Sequence, residues 1–180
     1  MPPPLLAILS ALLQPVQARA AHDGDADFLA RLYASTRADL HSVTAEPAFV
    51  AALIAMQQRL QGAGYRRDFP AATYLLLEHQ GARCGRIVVD GGPLAMRLVD
   101  IALLPECRGQ GLGSHILHAL QGCAARHALP LTLAVHHANA PARRLYLARG
   151  FQSCGGNAVS EQMIWNNAQQ LPSSPNLTSA

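Results

Sequence analysis

The sequence carries little charge and contains no lysine, so its 14 basic residues are all arginine. Only 14% of its 180 residues are charged, no long charge runs occur, and the formal net charge is +3. This weak positive charge argues against nucleic acid as a partner and is compatible with a small anionic ligand. Half of the residues are apolar, which is typical of a compact globular protein and excludes a disordered chain.

Cysteine is scarce and its spacing is uninformative for metals. The four cysteines form no CxxC pair and no Cys/His cluster with zinc spacing. We therefore expect no metal site. We interpret Cys84, Cys107, Cys123 and Cys154 as reduced, mostly buried thiols of a cytoplasmic protein.

The N-terminal apolar run, Leu5–Leu13, is far too short to cross a membrane. It also lacks the positively charged region of a secretory signal, so cleavage after Ala20 is a minor alternative. We interpret residues 1–14 as an apolar extension that packs on the protein, or as translated sequence upstream of the true domain. One domain is predicted over residues 15–166, and the polar residues 167–180 are predicted to form a disordered tail.

Hydrophobic periodicity and turn residues predict the element order βααβββαβαββ. The first helix has Asp25 as its candidate N-cap, and Pro47 lies in the first turn of the second helix. Gly62 and Gly64 are predicted to end that second helix. The other predicted elements are a strand at 15–21, a hairpin turning at 80–82, a strand at 94–104, a helix at about 111–127, a strand at 129–135, a short helix closed by Gly150, and two final strands.

The segment LLPECRGQGLGSHIL, residues 103–117, joins a strand to a helix through three glycines. A glycine-rich turn at a helix N-terminus makes an anion site, because the first N–H groups have no internal partner and glycine lets a phosphate approach. Arg108 can add a charge-assisted contact. The Walker A pattern needs a lysine that is absent, and GxGxxG is not matched from Gly109 or from Gly111.

Arg108, Gly111 and Gly113 match the pattern Gln/Arg-x-x-Gly-x-Gly/Ala, and the segment resembles the acetyl-coenzyme A signature of the GNAT superfamily of N-acetyltransferases. LVDIALLPE and LTLAVHHANAPARRLYLARGF resemble the family blocks before and after it, so the resemblance covers about residues 83–165. It implies a GNAT fold of the α/β (α+β) type. The expected central sheet is mixed, mostly antiparallel, of about six or seven strands, flanked by about four helices and splayed between the fourth and fifth strands.

The resemblance also implies that acetyl-CoA binds as a co-substrate, without a metal. Its pyrophosphate is expected on the signature backbone and its pantetheine arm along the preceding strand. The implied cofactor-binding residues are Ile101, Ala102, Leu103, Leu104, Arg108, Gly109, Gln110, Gly111, Leu112, Gly113, Ser114, Asn139, Ala142, Tyr146 and Arg149.

Two catalytic residues are implied. Tyr146 matches the family tyrosine that donates a proton to the leaving thiolate, the alternative being a core aromatic. Asp100 is the candidate general base, but strand alternation leaves open whether it points to the acceptor or to solvent. Asn139 matches an asparagine that contacts the pantetheine and can also cap the following helix. His136 and His137 are weaker candidates for a proton relay.

The implied function is an acetyl-CoA-dependent N-acetyltransferase that moves an acetyl group to a primary amine of a small molecule or protein by direct transfer in a ternary complex. The alternative is a non-catalytic coenzyme A-binding or protein-interaction module with this fold. The expected partners are acetyl-CoA and an amine, and neither nucleic acid nor a membrane is expected. The possibility of a homodimer stays open. Gln57, Gln58 and Tyr65 are candidates for lining the acceptor pocket. The thin spread of 11 acidic residues argues against a polycationic aminoglycoside.

Overall fold

The computed structural model describes residues 5–37, 40 and 46–167, so the tail expected at 167–180 lies outside the described residues from position 168 onward. Numbering the elements in chain order, the described helices are α1 Leu5–Leu12, α2 Ala26–Ser35, α3 Pro47–Asp68, α4 Leu112–Arg126 and α5 Ala140–Ala148. The strands are β1 Gln17–Ala20, β2 Thr73–His79, β3 Ala82–Gly91, β4 Met96–Leu103, β5 Leu131–His136, β6 Gln152–Gly156 and β7 Ser160–Trp165.

The strands form one sheet in the order β1-β2-β3-β4-β5-β7-β6. Every pairing is antiparallel except that of β4 with β5, which confirms the predicted mixed, mostly antiparallel sheet. The hairpin between β2 and β3 is also confirmed. Its two loop residues, Gln80 and Gly81, have φ of 52° and 76°, as two-residue hairpin loops that follow the strand twist require.

The sheet opens between β4 and β5, as predicted. The two strands pair over three residues only, ending at Leu98 opposite Leu133, whereas β5 continues to pair with β7 as far as His136. On its other edge β4 contains a bulge, because Val88 and Val89 of β3 face Asp100 and Leu98 and leave Val99 as an extra residue. Strand side chains alternate between the faces, so the bulge places Leu98 and Asp100 on opposite faces of the sheet.

The main core fills one face of the sheet. Leu98 lies in it with the apolar stripe of α4, and Ile101 and Leu103 pack against it. The helix α1 is missing from the predicted element order, which otherwise agrees with the structure. Leu9 and Leu13 at this end of the chain are fully buried in the same core. An apolar segment of eight helical residues is marginal alone, so its packing against α4 and β1 stabilises it.

The opposite face is covered by α2 and α3. Phe28 and Leu32 of α2 pack on Leu76 of β2 and on Leu104, with Ala102 at the edge of this cluster. A third cluster joins α2 to α3 through Tyr33, Val50 and Ile54. Because Ala102 belongs to this side and Ile101 to the other, β4 contributes to both cores immediately before the glycine segment.

The N-cap role predicted for the Asp25 side chain is wrong. Asp25 occupies the N-cap position of α2, but its side chain makes no capping hydrogen bond. It is fully buried and accepts two hydrogen bonds of 2.7 Å from the Arg19 guanidinium and one of 3.1 Å from the His22 N–H. These hydrogen bonds hold the pKa of Asp25 well below its usual range, against the effect of burial. The ion pair between Arg19 and Asp25 therefore connects β1 to the start of α2.

The prediction that Gly62 and Gly64 end the second helix is also wrong, because α3 continues through both to Asp68. Neither glycine adopts the left-handed conformation that closes helices. A helix tolerates an interior glycine at about 1 kcal/mol, which tertiary packing offsets. The helix ends at Phe69, whose N–H bonds the Tyr65 carbonyl, and Pro70 follows.

None of the helices in the described ranges is long and apolar enough to cross a membrane. Within the same ranges, no group of three or more His, Cys, Asp or Glu side chains is arranged to hold a metal ion. The four cysteines are unpaired, and Cys84 and Cys123 are buried.

Candidate active site

The edge of β4 that faces the gap carries main-chain groups. Leu104 donates its N–H to the Cys84 carbonyl of β3 at 2.9 Å. Successive residues of a strand direct their main-chain groups to opposite edges, so Ala102 also faces β3 while Ile101 and Leu103 face the gap. Four residues, 101–104, are predicted to bind the pantetheine arm. Of these, Ile101 and Leu103 direct their main-chain groups toward the gap.

The glycine segment is shaped by backbone conformations that other residues rarely adopt. A short 3-10 turn, Pro105–Cys107, leads out of β4. Gly109 and Gly111 follow with φ of 73° and 79°, and Gly111 is the N-cap of α4. Left-handed φ values are strained for residues with a Cβ. A Cβ at either position would meet no atom within 4 Å, so these glycines are needed for conformation and leave the outer side of the loop open.

The loop presents a row of free N–H groups. No N–H of residues 109–114 hydrogen-bonds another residue in the part of the chain that the structure describes. All six precede or begin α4, where the helix dipole favours negative charge. Leu112 anchors the row because its side chain is buried in the main core. The arrangement fits a pyrophosphate, whose oxygens can accept from several N–H groups at once.

Two side chains of the segment fold back onto the preceding turn. The Arg108 guanidinium Nε donates to the Leu103 carbonyl at 2.8 Å, and the Gln110 amide donates to the Glu106 carbonyl at 2.7 Å. Arg108 therefore occupies one of the main-chain acceptors of the gap. Its exposed guanidinium remains within reach of the loop.

Arg149 and Ser114 connect the end of α5 to the first turn of α4. The Arg149 Nε donates to the Ser114 hydroxyl at 3.1 Å. Gln121 of α4, a buried amide that sequence reasoning missed, donates to the Arg149 carbonyl at 2.7 Å. This bond fixes the Arg149 main chain beside the loop. The only sequence signal for Gln121 was that a polar residue interrupts the apolar stripe of α4.

Asn139 caps α5. Its side-chain oxygen accepts from the Ala142 N–H at 3.2 Å, which confirms the N-cap interpretation of this residue. The Ala142 side chain packs at the margin of the main core. The contact of either residue with a cofactor stays a prediction.

Tyr146 is 6% exposed and lies in the main core, with its ring centroid 5.9 Å from that of Phe151. No described residue hydrogen-bonds its hydroxyl. Burial raises the pKa of Tyr146 to about 12, and the negative charge of Asp100 adds to the rise. Tyr146 is thus both a core aromatic and a phenol that keeps its proton at neutral pH, close to the candidate base.

Asp100 lies on the α3 side of the sheet and not in open solvent. Its Oδ2 accepts from the Arg86 Nε and Nη2 at 3.0 and 2.6 Å. Its Oδ1 accepts from the Tyr65 hydroxyl at 3.3 Å. Gln61, one turn before Tyr65 on α3, accepts from Arg86 at 3.4 Å. Burial, with the charge of Asp100, raises the pKa of Tyr65 well above its usual range.

This cluster joins a predicted pocket residue to residues that sequence reasoning missed. Tyr65 hydrogen-bonds Asp100, whereas Gln57 accepts a hydrogen bond from Arg37, and the place of either residue in an acceptor pocket stays a prediction. Arg86 had no sequence signal beyond its place in a strand. At the far end of β5, the His136 Nδ1 accepts from the Ala138 N–H at 3.1 Å, and the His137 Nε2 donates to the Asn157 carbonyl at 2.9 Å.

The sequence profile of the acetyltransferase (GNAT) family matches residues 29–151. The protein therefore belongs to the GNAT acetyltransferase family. This match contains the gap edge of β4, the glycine loop and Tyr146.

A curated relative from Bacillus subtilis (strain 168), “Putative ribosomal protein bS18-alanine N-acetyltransferase”, is 37% identical over 91 residues. That alignment covers 48% of this chain and 58% of the relative. The fold resembles the PaiA N-acetyltransferase of Thermoplasma acidophilum in complex with coenzyme A (TM-score 0.62, 15% identity, 84% of this chain and 99% of that one). It also resembles an acetyltransferase of Thermus thermophilus (TM-score 0.61, 16% identity, 84% and 97%).

Proposed function

We propose that the protein is an acetyl-CoA-dependent N-acetyltransferase that acetylates a primary amine by direct transfer in a ternary complex. The observation that carries this proposal is the row of free N–H groups at residues 109–114, which continues the gap edge of β4. A pyrophosphate fits the row, and an extended arm fits the unpaired edge as an added strand would. Membership of the acetyltransferase (GNAT) family supports the same cofactor.

The residues of the gap supply the groups that such a transfer needs. Bound acetyl-CoA would contribute an activated thioester carbonyl. The Leu103 N–H faces the gap and can donate to the carbonyl oxygen as negative charge develops there. Tyr146 holds a proton that it can give to the departing sulfur, while the bond from the amine nitrogen to the acetyl carbon forms and the carbon–sulfur bond breaks. Asp100 can receive the proton that the amine loses, directly or through a water molecule.

The acceptor is proposed to be the N-terminal amine of a protein or the amine of a small molecule. The resemblance to a Bacillus subtilis protein named as a putative alanine N-acetyltransferase of ribosomal protein bS18 supports N-terminal alanine as the first acceptor to test. The ion pair of Arg86 with Asp100 leaves little free negative charge on the α3 side, which argues against a polycation. We also propose a cytoplasmic location, where acetyl-CoA and reduced thiols are found.

The first experiment measures the thermal stability of the protein with acetyl-CoA and with free coenzyme A. Binding to the folded state raises the melting temperature by mass action. The same sample is then assayed for thiol release across a panel of amines, beginning with peptides that start with alanine. A rise in melting temperature with amine-dependent thiol release is expected. A rise without release from any amine would favour the non-catalytic module, and no rise with either ligand would contradict coenzyme binding altogether.

A further inference from the structure

Arg97 shares a face of β4 with Asp100, and this placement depends on the bulge at Val99. Leu98 points into the main core, so its neighbour Arg97 points to the opposite, α3 side. The extra residue in β4 brings Asp100 to that same side. In a regular strand, residues three apart would lie on opposite faces. Their cross-strand partners, Asp90 and Val88, are two residues apart on β3, so Arg97 and Asp100 are about 7 Å apart along one surface of the sheet.

The Arg97 guanidinium has polar and aromatic neighbours and the Cys154 thiol near it, but no carboxylate partner among the described residues. Its Nη2 donates to the Gln162 side-chain oxygen at 3.1 Å, and its Cζ lies 5.6 Å from the centroid of the Phe69 ring. The buried Nε has no hydrogen-bond partner. Asp90 is its cross-strand neighbour on β3, yet no carboxylate of the described residues forms an ion pair with Arg97.

Three arginines that contact the fold do bond a carboxylate, unlike Arg97. Arg19, Arg86 and Arg143 each bond a carboxylate at 2.6–2.7 Å. Arg97 is half-buried, and burial lowers its pKa. A half-buried guanidinium with an unsatisfied N–H is expensive unless a partner compensates for the lost water.

The β5 residues on the Arg97 side of the sheet are exposed beyond the paired segment. β5 pairs with the start of β4 and then leaves it, and its Ala134 and His136 are exposed. Gln162 of β7, which stands opposite Ala134, orients the guanidinium from that side. A molecule that reaches both Arg97 and Asp100 would lie beside the end of α3, whose Phe69 and Tyr65 contact these two residues.

We propose that Arg97 binds a carboxylate of the acceptor, so that the enzyme selects primary amines carrying a carboxylate within about 7 Å of the amine. This proposal rests on the proposed function, because it takes the amine to lie at Asp100. The Nη N–H groups of Arg97 that Gln162 does not use can form charge-assisted hydrogen bonds to a carboxylate. Two sources offer this chemistry: a small amino acid, and an acidic side chain near the N-terminus of a protein.

The test uses two matched pairs of acceptors that differ only in charge. The peptide pair is Ala-Glu-NH2 and Ala-Gln-NH2, and the small-molecule pair is β-alanine and β-alaninamide. Dissociation constants are measured by calorimetry on protein saturated with coenzyme A, and kcat and KM are measured with acetyl-CoA. The proteins are the wild type, Arg97→Gln, Arg97→Lys and the control Arg126→Gln, which removes an exposed arginine from the end of α4.

In at least one pair, wild type and Arg126→Gln are expected to bind the anionic member about 10- to 100-fold more tightly than the neutral one. Arg97→Gln is expected to abolish that preference through KM, with kcat for the neutral acceptor unchanged. Arg97→Lys keeps the charge but not the planar fork, so it should restore part of the preference. The pair that shows the effect identifies the source of the carboxylate.

Equal binding within both pairs, including no binding by any of the four compounds, would overturn the role of Arg97. A preference that persists in Arg97→Gln would overturn it as well. A different result would contradict the proposed function. If the anionic ligands bind through Arg97 but no amine causes thiol release, then the carboxylate site exists and the protein does not transfer acetyl groups to these amines.

Discussion

A Cβ atom built on Gly85 of β3 would lie 2.4 Å from the Ala102 carbonyl oxygen and 2.6 Å from the Leu103 Cδ2. Real Cβ atoms do not approach a backbone oxygen so closely, so the close approach of β3 to the end of β4 depends on glycine. Position 85 therefore helps to hold the Leu103 main chain at the gap.

Gly85→Ala is expected to displace the end of β4, with a loss of about 1–3 kcal/mol in the free energy of unfolding and weaker acetyl-CoA binding. Chemical denaturation and the acetyl-CoA-dependent rise in melting temperature measure the two effects. Gly64→Ala is the matched control, since a Cβ there meets no atom within 4 Å. It should raise stability by up to about 1 kcal/mol. Normal stability and binding in Gly85→Ala would show that β4 adjusts freely.

Gly111→Glu is expected to abolish acetyl-CoA binding, because it places a negative charge among the free N–H groups and a Cβ at a φ of 79°. Gly111→Asn separates these two effects, since asparagine tolerates the left-handed conformation and adds no charge. The asparagine variant should keep a clear ligand-induced rise in melting temperature. If the glutamate variant, correctly folded by circular dichroism, showed the wild-type rise, the pyrophosphate site would lie elsewhere.

Tyr146→Phe is expected to leave acetyl-CoA binding and the melting temperature nearly unchanged, because no described residue bonds the hydroxyl. Turnover should fall by about 10²- to 10⁴-fold, as for other lost general acids. Since the pKa of Tyr146 is raised to about 12, wild-type turnover should show no loss of this acid up to about pH 10. Tyr74→Phe, which removes a buried hydroxyl without a hydrogen-bond partner, is the control for both measurements. Equal rates in the two variants would leave Tyr146 as a core residue only.

Acid should destabilise the protein through Asp25. Its pKa is lower in the folded protein than in the unfolded chain, so the unfolded chain binds the proton more readily. The stabilisation is therefore present above the ordinary aspartate pKa of about 3.9 and is lost as the pH falls toward the lowered value. Asp25→Asn should have a lower melting temperature at pH 7 and a smaller further loss between pH 6 and pH 3. Asp68→Asn, in an exposed ion pair with Arg67, should behave as wild type.

Leu9→Ala tests whether α1 is an integral part of the core. Leu9 is fully buried, so the substitution should reduce the free energy of unfolding by about 2–5 kcal/mol. Leu60→Ala removes a leucine that is 64% exposed on α3, and it should change stability by no more than about 0.5 kcal/mol. Similar small effects in both variants would mean that α1 contributes little to the folded domain.

Much of the fold was predictable because it follows from local patterns. The hairpin after β2, the helix from Gly111 and the strand before Pro105 agree with the structure to within one or two residues. The errors arose where tertiary contacts override local preference. Asp25 has the chemistry of an N-cap but bonds Arg19 of the neighbouring strand, and α3 passes through two glycines because its packing outweighs their conformational cost.

The sequence by itself determined the glycine loop, because left-handed turns and free helix N-termini depend on a few adjacent residues, Gly109 and Gly111 among them. The tertiary structure alone decided which side chains share the acceptor side. That choice depends on the bulge at Val99, which arises from the pairing of β4 with β3 and shifts every following side chain to the other face. The alternation of residues along the sequence does not reveal this bulge. Only the folded sheet therefore brings Arg97 and Asp100 to one surface.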